Sequence, residues 1–214
     1  MKLFGHPDSG HSLKVKFFLD WLGIEYLYEY VDIFSNRETR GSEFLTVSKF
    51  SEVPTLIDNE KYYIQSNAII IYLADKYGVF NSNEERQKNI EWLVWEANKI
   101  GMCLPQLRAD KKFSEEHPEF KLSKGAYDWL LARYSHDVNL LDNELNDNRQ
   151  FILGDKISPA DFSLSAYLMY ANEAEVEVPK NVENWLNRLK EQKGWKSPYE
   201  MLNLESSSCC IPNT

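Results

Sequence analysis

The chain has 214 residues, 43% of them hydrophobic and 14% aromatic, so it can bury a substantial core in one domain or two modest ones. Its 24 basic and 33 acidic residues give a net charge of −9, which disfavours nucleic acid and anionic membranes as partners. The N-terminal residues carry no apolar signal region, and no run approaches the ~18 apolar residues of a membrane span. A soluble, cytoplasmic protein is therefore expected.

Cysteine and histidine usage excludes two further classes. The three cysteines, Cys103, Cys209 and Cys210, are too few for the disulfide framework of a small secreted fold. No cysteine and histidine residues have the spacing of metal ligands, so no metal is expected. Free thiols fit a reducing compartment, and the sequence assigns no role to Cys209 and Cys210.

The first 78 residues predict strands and helices in the order βαβ-α-ββα, which is a thioredoxin-like order. The first helix follows a turn after the first strand, and Gly23 ends it. The strands on either side of this helix should be parallel, because a right-handed crossover joins them. Helical periodicity then continues to Tyr77. The predicted strands lie at residues 2–4, 25–31, 55–57 and 62–64.

Beyond Gly78 the pattern predicts only helices and loops. A polar run indicates a linker, and apolar faces with helical spacing follow it. The expected fold class is therefore α/β plus all-α. The expected domains are a thioredoxin-like domain over residues 1–78, a linker over 79–88, an all-helical domain over 89–205 and a tail over 206–214.

Two short motifs in the first domain predict a site that holds a peptide. Pro54 has no N–H, and a cis bond before it would leave the backbone of Val53 unpaired by the sheet and open to an extended ligand. Ser66, after Gln65, stands where a helix begins, so its hydroxyl and the free N–H groups suit a carboxylate. Each feature alone also fits a plain loop end or a helix cap.

A third motif lies far along the chain and predicts a helix start. Ser158 is placed as an N-cap, Pro159 at the first helical position, and Asp161 in a capping box. With this motif, VPTL at residues 53–56 and QSNAI at 65–69, the chain resembles the glutathione transferase superfamily, cytosolic type, from its first residue to about residue 204.

The resemblance implies an enzyme that conjugates the thiolate of glutathione to hydrophobic electrophiles, as in detoxification, and that forms a homodimer. It also implies a glutathione-binding set consisting of Arg40, Glu52, Val53, Pro54, Gln65 and Ser66. The alternatives are a non-catalytic binding or regulatory module with the same fold, or a glutathione-dependent isomerase, dehalogenase or peroxidase.

The activating residue is expected in the first turn, because a thiol with a pKa near 8.5 needs help to ionise at neutral pH. Ser9 has the spacing of the activating serine in serine-type transferases similar to the phi, delta and theta classes. Ser12 and His11 are its rivals, since an alignment to a bacterial class places His11 where that class has a cysteine. The turn contains neither a cysteine nor a tyrosine, which disfavours thiol-exchange and tyrosine-type mechanisms.

Two features of the predicted binding set depart from the resemblance. Glu52 places a negative charge near an anionic peptide, unless Lys49 offsets it. Gln65 replaces an acidic residue, so its carbonyl would accept a hydrogen bond from the ligand's ammonium without charge assistance. A pocket for the second substrate is expected between the first turn and a helix over residues 84–107, with candidate walls at Trp92, Trp95, Met102 and Leu104.

Overall fold

The computed structural model describes residues 1–202, which form two compact units. Among the described residues, the first unit comprises Met1–Gly78 with residues 192–202, and the second is Val79–Glu191. Within the described residues, no helix combines the length and the apolar composition that a membrane crossing requires. Cys209, Cys210 and the predicted tail over residues 206–214 lie outside the described residues.

The first unit is built on one four-stranded sheet in the order β2-β1-β3-β4. β1 pairs in parallel with β2, as the sequence predicts, and antiparallel with β3, while β3 pairs antiparallel with β4. The register places Phe4 opposite Thr55, so the β3 ladder begins two residues after Val53. The strands are β1 at Lys2–Gly5, β2 at Leu27–Tyr30, β3 at Thr55–Asp58 and β4 at Lys61–Ile64.

Three helices complete the predicted order of this unit. They are α1 at Gly10–Leu22, α2 at Ser42–Val47 and α3 at Ser66–Lys76. α1 packs against α3, and Phe44 of α2 packs in a buried cluster with Phe4. Gly23 ends α1 in the left-handed region, with φ of 72° and its N–H bonded to the carbonyls of Leu19 and Asp20. The predicted thioredoxin-like order is confirmed.

Residues 192–202 belong to the first unit, whereas the sequence prediction placed them in the all-helical domain. They include α9 at Pro198–Leu202, which packs against α1. Trp195 meets the ring of Phe17 edge-on at 5.2 Å. A Cβ on Gly194 would stand 2.7 Å from the carbonyl carbon of Asp20, so the close approach of the two backbones requires glycine there.

The second unit is helical, as predicted, but its first helix is interrupted. α4 spans Asn83–Asn98, α5 spans Ile100–Lys112, and Lys99 between them leaves the helical region with ψ of −97°. Ser82 caps α4 by accepting the N–H of Glu85 at 3.1 Å, so the predicted linker over residues 79–88 already contains the first helical turns. The remaining helices are α6 at Lys124–Glu144, α7 at Pro159–Leu168 and α8 at Lys180–Lys190.

The predicted start of α7 is confirmed. Ser158 is its N-cap, Pro159 its first residue, and Asp161 closes the capping box. The buried carboxylate of Asp161 also accepts the N–H of Ile152 at 2.9 Å and the indole N–H of Trp185 at 2.8 Å. One side chain therefore joins three segments of the unit.

Candidate functional site

The turn between β1 and α1 presents Ser9 at a helix start. Ser9 is the N-cap of α1, and its Oγ accepts the backbone N–H of Ser12 at 3.1 Å. The residue is 6% exposed. Because a hydroxyl can accept and donate at once, this bond leaves the Ser9 hydroxyl hydrogen for another acceptor. The amino-terminal dipole of α1 favours an anion at the same place.

Ser12 lies inside the turn. It is fully buried, and its Oγ accepts the N–H of His6 at 3.3 Å. A Cβ added to Gly5 would stand 3.1 Å from that oxygen, which shows how closely the strand covers it. The Ser12 hydroxyl therefore stabilises the turn from within.

The same turn contains a histidine that sequence reasoning missed. His6 is 4% exposed, and its Nδ1 accepts the N–H of Asp8 at 3.0 Å. This bond assigns the ring proton to Nε2, which lies 3.2 Å from the hydroxyl of Tyr30. Burial raises the pKa of Tyr30, and the carboxylates of Asp32 and Asp8 raise it further, so Tyr30 remains a neutral phenol near pH 7. A spacing of 24 residues gives no sequence signal for this pair.

The start of α3 differs from that of α1. Gln65 is its N-cap but makes no side-chain cap bond, and its φ of 66° is unusual for a residue with a side chain. Ser66 is the first helical residue, and its Oγ lies 3.4 Å from Nδ1 of His11. The first N–H groups of a helix have no partner within the helix, so they suit an anionic ligand. The structure thus brings His11 to Ser66.

The predicted cis bond between Val53 and Pro54 is present. Ser48 organises the loop before it, since its Oγ accepts the N–H of Glu52 at 3.1 Å and donates to the Glu52 carbonyl at the same distance. Ser51 in this loop has a φ of 51°. The loop is therefore fixed by one buried serine.

The charge of Glu52 has a partner, but not the predicted one. Arg37 Nη1 lies 3.1 Å from the Glu52 carboxylate, and both side chains are exposed. Lys49, which the sequence suggested as the partner, places its Nζ 5.2 Å from the ring centre of Phe50. An exposed ion pair of this kind is worth up to ~1 kcal/mol, so Arg37 offsets Glu52 only in part.

Arg40 organises a loop in this structure. Its guanidinium donates to the backbone carbonyls of Ile33, Ser35 and Ser51, in four hydrogen bonds. Burial lowers the pKa of Arg40, and the nearby Arg37 lowers it further. Of the five N–H groups of a guanidinium, these contacts leave one for a ligand. A bidentate grip on a carboxylate would require rearrangement of this loop.

The candidate walls of a second-substrate pocket all lie in the helical unit. Trp92 and Trp95 meet edge to face with ring centres 5.5 Å apart, while Leu104 is fully buried in the core. Trp92 lines a cleft of about 470 Å³ between α4 and the loop before α7, together with Arg149 and Leu153. The pocket predicted for these walls stays a prediction.

Asp8 links the turn between β1 and α1 to the end of the described chain. Tyr199 in α9 donates its hydroxyl to the Asp8 carboxylate at 2.9 Å. The two residues are 191 positions apart, so no local sequence pattern predicts the contact. Because Asp8 precedes Ser9, the bond fixes one side of the turn that presents the serine.

Comparison with known proteins agrees with this architecture. Residues 1–75 match the family described as "Glutathione S-transferase, N-terminal domain". The chain is 25% identical over 201 residues to the Disulfide-bond oxidoreductase YfcG of Escherichia coli (strain K12), across 87% of this chain and 88% of that protein. It is 28% identical over 209 residues to Glutathione S-transferase 1 of Schizosaccharomyces pombe, across 92% of this chain and 87% of that protein.

Among solved structures, a glutathione transferase from Burkholderia graminis has a TM-score of 0.78 and 24% identity to this chain. The match covers 94% of this chain and 87% of that one, and that crystal holds two glutathione molecules per subunit. Residues 1–75 therefore belong to the glutathione S-transferase N-terminal domain family, and the chain shares the fold of a solved glutathione transferase.

Proposed function

We propose that the protein conjugates glutathione to hydrophobic electrophiles and that Ser9 stabilises the reacting thiolate. The observation that carries this proposal is the position of Ser9 at the start of α1, where its Oγ accepts from Ser12 and its hydrogen is left to donate. A donated hydrogen bond and the helix dipole both favour the charged form of a thiol placed there.

The chemistry needs little beyond ionisation and proximity. The cysteine thiol of glutathione loses its proton to solvent, and the thiolate then attacks an electrophilic carbon. A carbon–sulfur bond forms, and the leaving group departs with the electrons of the bond that breaks. Holding both reactants in line contributes further, because it replaces an encounter in solution with a local reaction.

The remaining residues of the predicted set would hold the tripeptide. The backbone of Val53, beyond the β3 ladder, suits pairing with the cysteinyl residue, and Ser66 suits the γ-glutamyl carboxylate. The exposed side chain of Gln65 can accept from the ligand's ammonium. Arg40 and Glu52 contribute less, since loop carbonyls occupy the first and Arg37 pairs with the second.

The test compares Ser9→Ala with Ser12→Ala in conjugation of glutathione to 1-chloro-2,4-dinitrobenzene. Loss of a hydrogen bond to a charged group costs about 1.5–3 kcal/mol, so Ser9→Ala should raise the kinetic pKa of the bound thiol by roughly one to two units. The rate near pH 7 should fall about 10- to 100-fold. Glutathione affinity should change little, which calorimetry can measure.

Ser12→Ala is the matched control. It removes the acceptor of the buried His6 N–H, so it should lower the free energy of unfolding by about 1–3 kcal/mol and leave the kinetic pKa unchanged. If Ser9→Ala conjugates at the parent rate while Ser12→Ala shifts the thiol pKa, the assignment of Ser9 is wrong. If the parent protein does not bind glutathione, the proposed function is wrong.

A second candidate, glutathione-dependent disulfide reduction, is favoured by the match to the E. coli Disulfide-bond oxidoreductase YfcG. Two glutathione thiols would reduce one substrate disulfide to two thiols and would themselves become glutathione disulfide. The first turn of this chain has no cysteine, so both reacting thiols would come from glutathione. Consumption of NADPH in an assay coupled through glutathione reductase measures this activity directly.

A cytoplasmic homodimer with a serine-type mechanism, acting in detoxification, completes the proposal. The match to Glutathione S-transferase 1 of Schizosaccharomyces pombe supports the transferase role by analogy. Light scattering after size-exclusion chromatography gives the oligomeric state, and a mass of twice 25.1 kDa is the expected result.

A further inference from the structure

Two side chains of α1 contact the first residues of α3. His11, in the first turn of α1, places Nδ1 at 3.4 Å from Ser66 Oγ. One turn further along, Lys14 donates its Nζ to Oδ1 of Asn67 at 3.1 Å, although Lys14 is only 1% exposed. α1 therefore places nitrogen atoms against both Ser66 and Asn67, at the start of the helix whose N-cap makes no side-chain cap bond.

The protonation of Nδ1 decides what the Ser66 hydroxyl can do. A serine hydroxyl has one hydrogen and can donate one hydrogen bond. When Nδ1 of His11 is bare, Ser66 donates to it and offers no hydrogen to a ligand. When Nδ1 carries a proton, it donates to Ser66 Oγ, and the serine hydrogen is left to point at an anion.

We propose that His11 is a positioning residue for the γ-glutamyl carboxylate of glutathione and acts through Ser66. Its Nδ1–H holds the serine oxygen, so that the serine hydroxyl and the first N–H groups of α3 together meet the carboxylate. This inference rests on the proposed function, since it names how the same site holds glutathione. It gives His11 a role at the carboxylate end of the tripeptide, away from the thiol.

The lysine contact supports this arrangement independently. A buried ammonium is costly unless it is hydrogen-bonded, and Lys14 is bonded to the side chain of Asn67. Its charge is held one residue from Ser66, where it adds to the positive end of the α3 dipole. An anion at the start of α3 therefore meets favourable charge from both helices.

The experiment measures two ligands against two variants. The ligands are glutathione and γ-aminobutyryl-cysteinyl-glycine, which lacks only the γ-glutamyl carboxylate. His11→Leu should weaken glutathione about tenfold, as expected for loss of part of a charge-assisted hydrogen bond, and should leave the analogue unchanged. His11→Asn, whose amide can donate to Ser66, should recover most of the loss. Calorimetry supplies the dissociation constants.

Kinetic measurements and a matched control distinguish a positioning role of His11 from general disruption of the site. His11→Leu should raise KM for glutathione and leave kcat at saturating glutathione unchanged, because the thiol-activating Ser9 is untouched. His136→Leu, which removes an exposed histidine on α6, should change neither ligand. Thermal unfolding of each variant shows that it is folded.

Three results overturn the inference. Equal weakening of both ligands by His11→Leu means that the histidine only shapes the site, and unchanged glutathione binding means that it has no role there. A fall in kcat at saturating glutathione, with KM unchanged, means that His11 takes part in thiol activation instead. A parent protein that binds neither ligand overturns the proposed function itself, which these results on the variants do not.

Discussion

The starts of α7 and α3 both contain a serine, and the two starts are built differently. At the start of α7, Ser158 and Asp161 bond to each other, and Asp161 also takes the N–H groups of Ile152 and Trp185. At the start of α3, Gln65 makes no side-chain cap, and Ser66 contacts a histidine from another helix. The N–H and hydroxyl of Ser158 at the start of α7 already bond to a carboxylate, whereas no side-chain cap occupies the first N–H groups of α3.

The difference distinguishes a helix start that stabilises the fold from the one proposed to bind a ligand. The donors at the start of α7 have carboxylate partners in a fully buried setting, so a ligand would gain nothing there. Gln65 keeps a φ of 66°, which costs about 1–3 kcal/mol in a non-glycine residue and is a common feature of binding sites. Whether a serine at a helix start stabilises the fold or is available to a ligand therefore depends on which groups already bond to it.

The largest expected effect comes from removing the carboxylate that bonds to the start of α7. Asp161→Ala leaves the N–H groups of Ile152, Ser158 and Trp185 without their acceptor inside the core. The free energy of unfolding should fall by about 3–5 kcal/mol in urea titrations. The exposed Asp155→Ala is the control and should cost less than about 0.5 kcal/mol. A loss below about 1 kcal/mol for Asp161→Ala would show that the start of α7 does not anchor its unit.

The far end of α3 is held by a buried carboxylate, which makes its contribution depend on pH. Burial raises the pKa of Asp58, but the hydrogen bonds from Lys76 and Tyr72 outweigh this and lower it overall. A lowered folded pKa stabilises the protein above the unfolded value of about 3.9, and this stabilisation is lost as the pH falls toward the folded value.

Asp58→Asn should therefore cost about 1–2 kcal/mol at pH 7 and less at pH 3, which flattens the acid limb of the stability curve. Urea unfolding at a series of pH values measures this. Glu60→Gln, at the exposed hairpin turn, should leave the limb unchanged. An acid limb as steep in Asp58→Asn as in the parent would contradict the assignment.

Local sequence signals predicted most of the fold and the backbone features of the candidate binding site. Gly23, the Val53–Pro54 bond and the capping box at Asp161 each depend on a few neighbouring residues, and the structure has all three. Local preferences such as these survive packing because the backbone conformation itself requires them. The order of strands and helices along the first unit followed from the same kind of signal.

Contacts between distant residues could not be predicted in this way. His11 and Ser66 are 55 positions apart, and Asp8 and Tyr199 are 191 apart. The sequence also suggested Lys49 as the partner of Glu52 because it lies nearby, whereas the fold brings Arg37 instead. Which charged side chain meets which carboxylate depends on how the loops pack, and several candidates of equal chemistry lie within reach.

A substitution at the start of α3, which has no side-chain cap, should affect glutathione affinity more than the free energy of unfolding. Ser66→Ala should weaken glutathione about tenfold, since a hydrogen bond to the carboxylate is lost, and change the free energy of unfolding by less than about 0.5 kcal/mol. Ser42→Ala, at the exposed first position of α2, should change neither quantity. The comparison between α3 and α7 fails if Ser66→Ala unfolds as readily as Asp161→Ala.

The smallest expected effect concerns the backbone of Gln65. Gln65→Gly removes the side chain from a left-handed conformation and should raise the free energy of unfolding by about 0.5–1 kcal/mol. Gln65→Ala loses the same amide but keeps the unfavourable φ, so it should not gain stability. Both variants should bind glutathione more weakly, because neither can accept from the ligand's ammonium. A gain in stability with alanine as large as that with glycine would show that the side chain, and not the backbone, is the source of the strain.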